Sequence, residues 1–290
     1  MQTDDGSMKI AAYLFRKGEN EACMQILNEL LDRDDETSVD VLMMIAEIFI
    51  REGKYDPAER ILKELLKIDG IYGRVHSVYG NVMFAKEHYN RAIMAYEAAL
   101  QKDYVSSRQL LNYEEAADGL HVRADALELL EENRSKISDS LYYEIQGDIF
   151  WARGKTEEAI TVYDKAGDGG RERLLSVAGF FMAQKKGERA YHILQRVIDS
   201  SAEEDSLFYD ALFTQALMEQ IYEEKEDKFN YLENIITDNM SGGVDDPFTV
   251  IHLYQILIMC MERTKKYEKL EELMEDYEEV LEMINHYQVE

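Results

Sequence analysis

LMMIAEIFIREGKYDPAERILKELLKIDG, Leu42 to Gly70, carries two apolar stripes with a break between them. Leu42, Ile45, Ala46 and Phe49 fall at i, i+3, i+4 and i+7, which is one face of a helix. Gly53 and Lys54 interrupt that helix. Asp56 then offers a capping carboxylate, and Pro57 suits a first helical position, where its missing N–H costs nothing. Ala58, Ile61, Leu62, Leu65 and Leu66 form the second stripe. Ala46 and Ala58 are small enough for the two helices to approach closely.

The same pattern returns 34 residues later. Gly53, Tyr55, Ala58, Leu62 and Leu65 are answered by Glu87, Tyr89, Ala92, Tyr96 and Ala99. Ile45, Ala46 and Phe49 are answered by Tyr79, Gly80 and Met83 at the same distance. A fixed period of this length marks stacked helix pairs, because one pair cannot bury its apolar faces alone. The expected fold class is therefore all-α, an α-solenoid of antiparallel helix pairs. Two prolines in 290 residues suit such a chain, since proline costs about 3 kcal/mol inside a helix.

These residues resemble the tetratricopeptide repeat family. Its pattern places an apolar residue before Gly or Ala, an aromatic three later, a Gly-Asx-Tyr-like turn, then Ala, an aromatic or Leu, and Ala. Tyr79, Gly80, Asn81, Tyr89, Ala92, Tyr96 and Ala99 follow it. So do Gly147, Asp148, Phe150, Gly154, Ala159, Tyr163 and Ala166. Ala178, Phe181, Ala190 and Leu194 follow it in part, as do Ala11, Leu14, Gly18, Cys23, Leu27 and Leu30. The family's closing proline is replaced by Asp35, Gly70 and Tyr104.

The chain reads as one domain, 1–290, of about eight units: 7–37, 38–71, 72–105, 106–138, 139–170, 171–202, 203–242 and 244–290. The fourth is degenerate and the seventh irregular. The eighth opens at Asp246-Pro247 and closes on a long acidic helix with Leu270, Leu273, Met274, Tyr277, Leu281 and Ile284 on one face, a polar cap for the array. Ser241-Gly242-Gly243 reads as a mobile loop and Asp168-Gly169-Gly170 as a second, shorter break. The resemblance implies a right-handed superhelix whose concave face is lined by the first helix of each pair.

A formal charge of −27 argues against nucleic acid and against anionic membrane surfaces, both of which call for Lys and Arg. The most apolar stretch, Phe248 to Met261, is interrupted by His252 and Gln255 and is too short to span a bilayer. The polar start, Met1 to Met8, lacks signal-peptide character, and Cys23 and Cys260 read as buried hydrophobes in a reducing compartment. A soluble, cytoplasmic chain is expected. The six histidines are scattered, no phosphate loop or nucleophile elbow appears, and no metal, cofactor or catalytic residue is expected.

On the resemblance, the expected role is a protein-interaction scaffold or adaptor that binds a peptide or protein segment in the groove. Positions of the first helices not used for packing include Asp40, Met43, Glu47 and Arg51, and then Arg74, Ser77, Asn81 and Phe84. Glu144, Asp148 and Trp151 share one helical face further along, and Leu175 and Met182 follow. The expected peptide-binding residues are Arg51, Asn81, Phe84, Glu144, Asp148, Trp151 and Met182. A tryptophan beside two carboxylates suits a ligand of basic and apolar character, through cation–π attraction and charge-assisted hydrogen bonds. The other reading is an assembly subunit acting through its outer face or ends, including self-association as a homo-oligomer.

Overall fold

The computed structural model describes residues 3–33, 39–68, 70–201, 204–223, 225–241 and 247–286. The described residues are helical throughout, with no strand among them. They divide into two compact units, Met1–Val162 and Tyr163–Glu290, where the sequence reads as one array.

The first unit holds α1 (Thr3–Lys17), α2 (Asn20–Arg33), α3 (Val39–Arg51), α4 (Tyr55–Leu65), α5 (Gly73–Ala85), α6 (Tyr89–Gln101), α7 (Ser107–Gly119), α8 (Ala126–Glu132), a 3₁₀ turn at Arg134–Lys136, and α9 (Asp139–Ala152). α10 (Thr156–Tyr163) reaches the division. The second unit holds α11 (Gly167–Ala183), α12 (Gly187–Asp199), α13 (Ser206–Glu223), α14 (Asp227–Ser241), α15 (Pro247–Arg263) and α16 (Tyr267–His286).

Packing follows the stripes. Ala46 of α3 and Ala58, Leu62 and Leu65 of α4 are buried with Val75, Val78, Met83, Ala92 and Tyr96 from the next pair. Burying a leucine such as Leu62 contributes roughly 2 kcal/mol. Gly80 is what lets α5 and α6 close up, because a Cβ there would stand 2.6 Å from Tyr96 Cδ1. In the second unit Tyr209, Leu212, Phe229, Leu232, Leu253 and Leu257 form the corresponding core.

The turns inside the pairs share one geometry. Gly18, Gly53, Glu87, His121, Gly154, Lys185 and Lys265 all have positive φ. The next N–H reaches back five residues, as in Lys54 to the Phe49 carbonyl (2.8 Å), His88 to Met83 (2.8 Å) and Lys186 to Phe181 (2.9 Å). This closure satisfies carbonyls left open at a helix end. His121 shows that the degenerate fourth unit keeps the turn, 34 residues after Glu87.

Several boundaries differ from expectation. α4 starts at Tyr55, before Asp56, with Lys54 at the cap and no side-chain cap bond. Pro57 is then the third helical residue, still within the first turn whose N–H groups lack intrahelical partners. Asp56 instead accepts from Lys86 Nζ at 2.6 Å. The stretch 168–170 is no break; it opens α11. Gly170 is there for close approach, since a Cβ would run into the Tyr163 carbonyl oxygen. Pro247 does begin α15, while Asp246, Gly242, Gly243 and Asp35 lie outside the described residues.

Candidate functional site

Within the first unit the first helices of successive pairs touch: α3 meets α5, α5 meets α7, and α7 meets α9. No comparable contact joins α4 to α6 or α6 to α8. The first helices therefore occupy the closer-packed side of this unit.

Side chains lace that side together. Tyr72, at the cap of α5, donates to Asp40 of α3 (2.8 Å), and Arg74 pairs with Glu47 (2.7 Å). Asn112 of α7 donates to Asn81 of α5 (3.0 Å) and to the Tyr96 hydroxyl (3.3 Å), while Tyr96 donates to Asn81 (3.0 Å). Ser107 of α7 donates to Asp148 of α9 at 2.7 Å. Arg153, just past α9, bonds Glu114 of α7 and the α8 cap Asp125 at 3.0 Å each. Burial, and then the bond to Asp40, pushes the Tyr72 hydroxyl up to about 12, so it stays a neutral donor. Burial likewise raises Tyr96.

The expected binding residues fall into three groups. Arg51 is exposed at the end of α3, but it donates to the Phe15 carbonyl (2.6 Å) and Asn20 (3.1 Å) and lies 3.7 Å over the Phe15 ring. Asn81 and Phe84 are half-buried; Asn81 belongs to the Tyr96–Asn112 cluster, and Phe84 lies 5.9 Å from Tyr89. Glu144, Asp148 and Trp151 do share one face of α9, and all three are half-buried. Met182 belongs to the second unit, near the end of α11, and is exposed.

Two of the wider set expected on the open face are instead in the interior. Met43 is 2 % exposed and packs in the core with Val75 and Val78, and Ser77 is also buried. An inner first helix such as α5 packs against four others, α3, α4, α6 and α7, so more of its surface is covered than one apolar stripe suggests. Sequence reasoning missed Ser107 and Asn112 because their unit is degenerate. It also missed a pocket in the second unit beside Gly187, Tyr191 and Met218. The signal available there was a glycine, Gly187, where three other units carry Tyr55, Tyr89 and Tyr267.

Paired helices, positive-φ turns and a tight first-helix side together define a helical-repeat protein. The sequence model of the tetratricopeptide repeat matches residues 39–72, the segment that forms α3 and α4. Residues 39–72 thus match one tetratricopeptide repeat, and the sixteen described α-helices fit about eight units of that kind. No curated protein matches it.

Similar solved structures include MamA, 19% identical over 57% of this chain and 96% of that one, with a TM-score of 0.37. PilF of Pseudomonas aeruginosa is 19% identical over 69% and 94%, with a TM-score of 0.41. The quorum sensor NprR from B. thuringiensis is 14% identical over 95% and 86%, with a TM-score of 0.34. Proteins of this repeat class are generally non-catalytic interaction scaffolds. No described helix is long and apolar enough to cross a membrane. Among the described residues no group of three His, Cys, Asp or Glu is arranged to hold a metal ion.

Proposed function

We propose that this chain is an adaptor that binds a polypeptide segment of basic and apolar character on the first-helix side of its first unit. The observation that carries the reading is α9. Glu144, Asp148 and Trp151 are spaced along one face of it and half-buried, and Asp148 accepts from Ser107 of α7. Tryptophan supplies a broad apolar surface with a negative ring face, and the carboxylates add charge-assisted bonds to Lys or Arg. The −27 charge draws a basic segment in from a distance. On this reading Arg51, Asn81 and Phe84 would extend the site along α3 and α5. Met182 would serve the second unit.

An array of short peptides tests this. Peptides mixing Lys or Arg with Leu or Phe should retain the chain at low salt, and Glu144→Lys with Asp148→Lys should weaken retention at least tenfold while the helical spectrum is unchanged. Equal retention by the double variant would remove α9 from the site.

One observation favours the second reading, assembly through the outer face. Met94 on α6 is 69% exposed. If that side self-associates, Met94→Asp should lower the mass seen in sedimentation at high concentration.

A further inference from the structure

One position of the repeat has lost its side chain. Two residues after the positive-φ residue of the turn, the second helix begins with tyrosine in three pairs: Tyr55 after Gly53, Tyr89 after Glu87, and Tyr267 after Lys265. In the first unit Tyr89 lies against the end of the next first helix, where a Cβ on Gly119 would stand 2.8 Å from its ring. The corresponding residue after Lys185 is Gly187. Across from it, α13 runs 18 residues where α7 runs 13, and Met218 stands at the register of Gly119.

The result is a pocket of about 480 Å³ beside Gly187, Tyr191 and Met218. The corresponding place in the first unit, between Tyr89 and Leu120, is a smaller pocket of about 320 Å³. A volume of this size is enough for a side chain together with some of its flanking backbone. The charges around it are balanced. Lys185 and Glu188 stand at the rim, and Glu219 accepts from the Tyr191 hydroxyl (2.8 Å) and pairs with Lys228 (3.2 Å). The described side chains therefore favour a neutral group over an ion.

We propose that the Gly187–Tyr191–Met218 pocket receives an aromatic side chain of a bound polypeptide, which takes the place that Tyr89 holds in the first unit. Lys228 lies 4.7 Å over the Tyr191 ring and holds it in place, and Met218 offers a polarizable thioether, a favourable partner for an aromatic ring. The inference rests on the reading that the chain binds polypeptides, but it concerns the second unit and residues that α9 does not touch.

The test uses the whole chain labelled with ¹³C at the methionine methyls, with the Met218 signal assigned. N-acetyl-tyrosinamide should move the Met218 methyl with a Kd on the order of a few mM, the strength expected of so small a ligand. N-acetyl-lysinamide should not. Gly187→Tyr should restore the missing ring and abolish the shift; Gly187 has no positive φ, so its backbone accepts a side chain. Should that variant not fold, His192→Trp, at an exposed rim position, blocks the mouth instead. No Met218 response to the tyrosine amide, an equal response to the lysine amide, or a response that survives both variants would overturn the proposal. Because the readout is Met218, it succeeds or fails independently of peptide binding at α9.

Discussion

Gly80 and Tyr96 compete for the same space. Tyr96 is fully buried, and its ring lies where the side chain of Gly80 would begin. The α5–α6 crossing depends on that missing methyl. Gly80→Ala should cost about 1–3 kcal/mol in urea unfolding, and Gly80→Leu more, because overpacking forces the helices apart. In a Tyr96→Leu background the cost of Gly80→Ala should shrink, since residues in contact are not additive. Unchanged stability in Gly80→Leu would contradict this packing.

The turns give a prediction of opposite sign. Glu87 and Lys185 hold positive φ without being glycine. L residues are strained there by about 1 kcal/mol, and glycine is not. Glu87→Gly and Lys185→Gly should each leave stability unchanged or raise it by up to about 1 kcal/mol, whereas Gly53→Ala and Gly154→Ala should lower it by a similar amount. Thermal melts of the four variants check this, and a uniform loss across all four would contradict it.

Acid should act through Glu59. Hydrogen bonds from Lys63 and Lys86 hold its carboxyl down from 4.5 to about 2. The folded chain therefore binds this proton more weakly than the unfolded chain does. The resulting stabilisation is full above pH 4.5 and is lost as pH falls toward about 2. Melting temperature should drop through that window, and less steeply in Lys63→Met/Lys86→Met. Identical acid profiles would contradict the assignment.

The two cysteines should be inert. Both are buried and free. Burial, with Glu233 nearby, pushes Cys260 up to about 12, and burial raises Cys23, whose thiol donates to the Ala11 carbonyl at 3.2 Å. At pH 8 iodoacetamide should modify neither thiol in the native chain and both after denaturation. Labelling of the native chain would contradict their burial.

The repeat was legible because burial is periodic. Ala46, Ala58, Leu62, Ala92 and Tyr96 are interior where the 34-residue spacing puts them. Helix starts were less legible. Asp56 and Pro57 look like a cap and a first residue, yet the turn at Gly53 closes on the backbone alone and lets α4 begin earlier. Asp168-Gly169-Gly170 looks like a loop because glycine does, but Gly170 is selected by contact with Tyr163, which no local pattern reveals. The candidate site was legible as a face and not as a set of partners. Helical spacing puts Glu144, Asp148 and Trp151 together, but the bond from Ser107 to Asp148 spans 41 residues. The burial of Met43 depends on a neighbouring pair.

The most direct test of the proposed role is the emission of Trp151, the chain's single tryptophan. Titration with a short Lys- and Leu-rich peptide should shift or quench it saturably, with affinity falling as salt rises from 50 to about 300 mM, because the attraction is partly between exposed charges. A Glu- and Leu-rich peptide of the same length should leave it unchanged. No response to the basic peptide, or the same response to both, would contradict the account and place any interaction away from α9.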